Sequence, residues 1–275
     1  MLARRFASIE TVQQKILLER LAGRTGQKLN LSNLGFAAYS QADEDGLLLA
    51  VFATLGMGKR LCVEICAGTG KECNSANLLL HHGWHGLLVD GNADHVAQGR
   101  RFFERHPNTA TFPPVYMHSW VTRENVNDLV GGAGFTGEID LLSLDMDGMD
   151  YWIWDALNVV QPRVIILEYQ DILGPDRSVT VPYEPNFYAY KYPTTNGMPN
   201  YCGASLRAFT KLATKKGHRL VGCNSFGYNA IFVRNGLGET ALPRVEIENC
   251  FLHPKTQWGM KHRYPEVANL PWQEV

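Results

Sequence analysis

Four apolar runs in this sequence end in carboxylates, and their spacing carries the chemistry. "CVEICAGTG" (62–70) holds Glu64 and breaks into a turn with Ala67, Gly68 and Gly70. "LLVDGN" (87–92) ends on Asp90 and Gly91, 20 residues after Gly70. "IDLLSLDMD" ends on Asp145 and Asp147, and "RVIILEY" on Glu168. Glycines at a strand end let backbone come close to a ligand. A dinucleotide is disfavoured, because its fingerprint needs a third glycine where this chain has Cys73, and Glu64 would repel a pyrophosphate. S-adenosylmethionine (SAM) offers an ammonium, a sulfonium and a ribose diol instead. Glu64 can serve the methionine end, and Asp90 can take both ribose hydroxyls in a bidentate contact. Ala67, Gly68, Gly70 and Gly91 line the approach. Ser119 and Trp120, at the end of a further strand, and Asp145 complete the expected cofactor shell.

These residues need a scaffold that brings strand ends to one edge. From residue 60 the chain alternates strands and helices. The expected strands are "RLCVEIC", "WHGLLVD", "PPVYMHSWV", "IDLLSLDMD" and "RVIILEY", with "NSANLLLHHG", "DHVAQGRRFFERHP", "RENVNDLVGGAG" and "YWIWDALNVV" as the helices between them. Such alternation, with strands rich in Val, Ile and Leu, predicts an α/β, Rossmann-like doubly wound sheet. It is mostly parallel, and a C-terminal antiparallel hairpin closes it around "SFGYN". Ligands bind such sheets at the carboxyl ends of the strands.

The expected organisation is a helical extension over 1–38, a SAM-binding domain over 39–240 and a tail over 241–275 packed on it. Residues 1–30 carry Ile9, Val12, Ile16, Leu17 and Leu21 near helical spacing. "SQADEDGLLLAVFATLG" starts a second helix that ends near Gly56 or Gly58. Residues 170–203, rich in Pro, Tyr, Asn and Gly, form an expected substrate lid. The N-terminal helix and the apolar tail could form a homodimer surface.

With 45% hydrophobic residues and a net charge of -1, the chain can build a core, and its balance does not suggest nucleic acid. Six scattered cysteines with no CxxC pair read as buried thiols in a reducing compartment, not as a zinc site. The longest apolar run, 47–55, is too short for a bilayer, so the expectation is a cytoplasmic protein without membrane contact.

The chain resembles the class I SAM-dependent methyltransferases, and within them the FkbM-type enzymes, over roughly residues 39–235. The residues that carry the resemblance are "YSQADEDG" (39–46), "VEICAGTGKECNSANLLLHHGWHGLLVDGN" (63–92), "EIDLLSLDMDGMDYWIWDAL" (138–157) and "PRVIILEY" (162–169). Gln41 with Glu44 or Asp45, Glu64, Trp84, Gly86, Asp90, Asp140, Asp145, Asp147 and Gly148 match the family pattern. Cys66 departs from it, standing where the turn usually has its first glycine. The resemblance implies Gln41 as a further cofactor residue and methyl transfer to oxygen, most often a hydroxyl of a sugar or natural product.

Such transfer needs alignment and a group that takes the acceptor's proton. Asp145, Asp147 and Glu168 should converge at neighbouring strand ends, as a general base or as ligands of Mg²⁺. His118 is a further candidate base, while His81, His82 and His85 lie near the opposite sheet edge and read as structural. In the lid, Tyr183, Tyr188 and Tyr201 are candidate contacts for a small-molecule acceptor, and Lys191 and Arg177 could hold an acidic group. Asn229 and Tyr228 should point into the same pocket. The alternatives are transfer to nitrogen or to a peptide, and a non-catalytic SAM-binding protein of the same fold.

Overall fold

The structure, a computed structural model, describes residues 2–23 and 26–275. Its core is a seven-stranded sheet of β1 (Leu61–Ile65), β2 (His85–Asp90), β3 (Val115–His118), β4 (Gly137–Leu144), β5 (Val160–Glu168), β6 (His218–Cys223) and β7 (Asn229–Arg234). The order across the sheet is β3-β2-β1-β4-β5-β7-β6. The first five strands run parallel, and β7 is antiparallel to both β5 and β6. The order reverses between β1 and β4, so the switch point lies where Glu64 and Asp145 end their strands. All five parallel strands and the closing hairpin fall where the sequence pattern places them, each within a few residues.

Helices α1 (Leu2–Ala22), α2 (Glu44–Leu55), α3 (Ala76–His81), α4 (Ala93–Arg105), α5 (Val126–Gly132), α6 (Asp150–Ala156), α7 (Leu206–Lys215) and α8 (Pro254–His262) surround the sheet. Two apolar layers form, one on each face. Leu142, Trp154, Ile165 and Phe209 belong to the first, and Phe52, Leu79, Leu88 and Ile231 to the second. No helix among the described residues is long and apolar enough to cross a membrane.

The acids of "SQADEDG" hold the fold together. Asp45 Oδ2 accepts the amides of Ala38, Tyr39 and Ser40 at 2.6–2.8 Å. Glu44 Oε1 accepts the side-chain amides of Asn224 and Asn229. Asp140 and Arg163 form a buried ion pair at 2.8 Å, and Arg163 also donates to the Gly56 and Leu55 carbonyls that end α2. Thus Glu44, Asp45 and Asp140 position elements of the fold.

Helix α1 differs from its expectation. Leu21 and Gln14 are buried, but Ile9, Val12 and Ile16 lie exposed on the outer face. It attaches through Leu17, Leu18 and Leu21 on the second apolar layer and through polar contacts: Thr11 Oγ1 meets His81 Nδ1 at 2.9 Å, and Gln14 accepts from Asn77. Gln273 and Glu274 pair antiparallel with Thr180 and Val179, and the Tyr201 hydroxyl donates to the Pro271 carbonyl.

Candidate functional site

The turn after β1 is pinned to the end of β2, because the amides of Cys66 and Ala67 both donate to the Val89 carbonyl. Cys66, Gly68 and Gly70 take φ of +66°, +55° and +69°. A β-carbon at Gly70 would stand 2.6 Å from the Phe103 ring, whereas one at Gly68 would meet nothing within 4 Å. The turn therefore seals the core at Gly70 and leaves open space at Gly68. Cys66 holds a left-handed conformation that favours glycine, at a cost of about 1 kcal/mol.

Asp90 faces this turn. Its Oδ2 accepts the Gly68 amide and its Oδ1 the Asn92 amide, both at 2.8 Å, with His95 Nδ1 3.3 Å from Oδ1. It lines a cleft of about 60 Å³ with Cys66, Gly91, Ser119, Trp120 and Met146. Pro185 and Phe187, from the 170–203 segment, complete its lining, and Trp120 Nε1 donates to the Pro185 carbonyl at 2.7 Å. The chemistry of the wall fits SAM: a carboxylate for a diol, apolar surface for a base, and bare backbone at Gly68.

Glu64 lies elsewhere than expected. It is buried, and both of its oxygens are taken. Asn74 N and Ser143 Oγ donate to Oε1 at 2.8 and 3.2 Å, and the Ser75 amide and hydroxyl donate to Oε2. Asn74 and Ser75 lead into α3, whose first amides lack helical partners. Glu64 satisfies that entry and is not free for a methionine ammonium.

A second, larger cavity of about 580 Å³ opens beside the ends of β4 and β5. Asp145, Asp147 and Glu168 line it, with Gln41 and Tyr228. Asp150, missed in the sequence, completes the acidic wall. It is buried, and it accepts the amides of Met146 and Gly148 at 2.9 and 3.2 Å. These bonds hold the loop on which Asp147 adopts φ +50°. Asp145 and Glu168 are hydrogen-bonded to each other. Burial, then repulsion from Asp150 and Asp147, pushes Asp145 up to about 7. Burial and the Asp145 charge push Glu168 well above the usual range. Burial raises Asp150 to about 6 against its backbone donors, and burial also raises Asp147. The pair is built to share a proton. Among the described residues no group of three or more His, Cys, Asp or Glu side chains is arranged to hold a metal ion. The expectation of Mg²⁺ is therefore not supported.

Several expected acceptor residues are not in this cavity. Tyr201 is buried among Tyr192 and Trp272 and bonds to the tail. Asn229 is buried and donates to Glu44, whereas Tyr228, just before β7, lines the cavity. Tyr183 turns outward to Glu124 and lies under the Arg123 guanidinium, 4.9 Å from its ring centre. Tyr188 is exposed beside Tyr190, and it is Tyr190 that lines the cavity. His118 is exposed, 3.1 Å from the Gly91 carbonyl, in the wall of neither the cleft nor the cavity. Arg177 stacks on Tyr264 at 4.0 Å, and Lys191 does not line the cavity. The lining also takes in Asp171, Phe226, Lys255 and Arg263. Lys255 and Arg263 belong to the tail, where nothing in the local pattern separates them from other surface cations.

The strand order and the single antiparallel strand beside β5 match the Rossmann-like fold of the class I methyltransferases. No protein-family model and no curated protein matches the chain. Among solved structures it is similar to magnesium protoporphyrin IX methyltransferase from Synechocystis PCC 6803 with bound SAM, at 14% identity and TM-score 0.38 over 64% of this chain and 70% of that one. An O-methyltransferase family protein from Burkholderia thailandensis matches at 10% identity and TM-score 0.44, over 86% of this chain and 60% of that one. A glycopeptide N-methyltransferase complexed with S-adenosylhomocysteine matches at 11% identity and TM-score 0.42, over 74% of this chain and 95% of that one. The strand order, rather than these likenesses, fixes the fold.

Proposed function

We propose that this chain is a SAM-dependent methyltransferase of the FkbM type that methylates a hydroxyl of a small molecule such as a sugar or natural-product intermediate. The observation that carries this reading is the placement of the bare Gly68 turn against Asp90, next to a cavity walled by the Asp145–Glu168 pair. When bound, the cofactor supplies an electrophilic methyl group. Asp90 would hold its ribose diol, and Trp120 and Phe187 would cover its base. Asp145, raised to about 7, is matched to take the hydroxyl proton near neutral pH. Glu168 holds that carboxylate in place through their shared hydrogen bond. Asp150 holds the loop that presents both Asp145 and Asp147.

Calorimetric titration with S-adenosylhomocysteine tests the reading. Micromolar binding by the wild type, weakened about tenfold or more in Asp90→Ala by loss of charge-assisted bonds to the ribose, is the expected result. Absence of binding by the wild type removes the cofactor assignment.

A further inference from the structure

The large cavity is lined by both signs of charge. Asp145, Asp147, Asp150 and Glu168 contribute carboxyl groups. Its lining also includes Lys255 and Arg263, with a single carboxylate, Asp171, between them. Arg263 Nη1 lies 3.4 Å from Asp171 Oδ1, and Lys255 Nζ lies 3.5 Å from Oδ2. Two cations share one anion, which leaves this trio one positive charge in excess. Arg263 is buried and already committed: it also donates to Asn200 Oδ1 at 2.8 Å and to the Pro199 carbonyl at 3.0 Å. Lys255 is different. Its side chain is 32% exposed, and its ammonium lies 4.6 Å from the centre of the Tyr228 ring. Beside it the half-exposed Phe226 runs nearly parallel to Tyr228, at 10°. An ammonium with solvent access above apolar rings can accept an additional anionic partner.

We propose that the Lys255 ammonium in this cavity is the recognition site for an anionic group on the acceptor, a carboxylate or a phosphate. The inference rests on the methyl-transfer reading above, in which the sulfonium and ammonium of the cofactor would answer the carboxyl groups and leave Lys255 to the acceptor. A hydroxylated acid then enters in one direction. Its anion is drawn to Lys255, away from the carboxylates that would repel it, and its hydroxyl is left facing Asp145. A neutral polyol gains no such orientation, and an acceptor with an amine in place of the acid meets Lys255 as a like charge. Phe226 offers a flat apolar face to the part of the acceptor between the two groups.

The test uses two matched pairs that differ by one charge: glucuronate with glucuronamide, and 3-hydroxybenzoate with 3-hydroxybenzamide. Binding is read by saturation-transfer NMR on the full chain, with and without S-adenosylhomocysteine. In at least one pair the carboxylate should bind about tenfold more tightly than the amide, the effect of one charge-assisted hydrogen bond. Lys255→Met should abolish that preference, Lys255→Arg should retain it, and Lys255→Glu should make the amide the better ligand. Lys255 is partly exposed in the first turn of α8 but pairs with the buried Asp171, so a melting curve of each variant checks the fold, and Lys255→Arg, which keeps the pair, carries the comparison with wild type where Lys255→Met or Lys255→Glu is destabilised. Equal binding of acid and amide by the wild type overturns the proposal, as does a preference that survives Lys255→Met, or no binding of either pair. If S-adenosylhomocysteine binds while the charge preference fails, the anion site falls and the methyltransferase reading stands. If it does not bind, the cofactor reading falls, and the charge comparison is still read on the free protein.

Discussion

Asp145 and Asp150 lie on one loop and are raised for related reasons, but they do different work. Asp150 accepts two backbone amides and shapes the loop; Asp145 faces the cavity and shares a hydrogen bond with Glu168. If Asp145 takes the acceptor's proton, turnover rises with pH through about 7, as the pair loses its proton. Asp145→Asn should leave S-adenosylhomocysteine affinity within about twofold but lower kcat by 10²–10⁴, the usual range for a lost general base, and remove that pH limb. A pH–rate profile with pre-steady-state turnover checks it. Loss of cofactor binding instead would place Asp145 in the cofactor shell. The same cluster sets a stability trend. Carboxyls whose native values are raised hold protons that the unfolded chain has released, so their contribution favours the fold below about pH 4 and is lost as pH rises toward 7. Cys66 gives a further residue-scale expectation: Cys66→Gly should stabilise the protein by about 1 kcal/mol in chemical denaturation, since glycine adopts φ +66° without strain.

The elements around β2 carry a second titration of opposite sign. His81 and His82 end α3, and both are held below their ordinary value chiefly by burial, His82 at about 4. A lowered native value means the unfolded chain binds the proton first. Stability from these groups is complete above about 6.5 and is lost as pH falls toward 4. His82→Phe should flatten this acid limb in a series of urea melts, because it removes the buried imidazole whose Nε2 has no partner. An unchanged limb would assign acid sensitivity to other elements. The turn before α3 supplies a sharper case. Gly70→Ala places a methyl 2.6 Å from Phe103 at φ +69°, so it should cost about 1–3 kcal/mol and loosen the cofactor cleft.

Across the whole molecule, the C-terminal tail is part of the site. Its Arg263 links Asp171, Asn200 and the Pro199 carbonyl, and its last residues form a strand on the lid. Arg263→Leu leaves a buried Asp171 with only Lys255 beside it, and should destabilise the protein by about 3–5 kcal/mol in equilibrium unfolding. A change within about 0.5 kcal/mol would show that solvent reaches Asp171. The parallel sheet, its closing hairpin and the row of strand-end acids were legible in the sequence, because burial on both faces forces continuous apolar strands and the topology puts their ends on one edge. The direction in which each side chain faces was not. Tyr201, Asn229 and Glu64 have suitable types at suitable positions, yet packing and backbone donors claim all three. Asp150, Lys255 and Arg263 became visible only when the chain closed on itself. Local pattern alone determined the scaffold and the acids at its edge; tertiary contact decided which of them face the cavity, because hydrogen-bond partners far apart in sequence compete for each polar group.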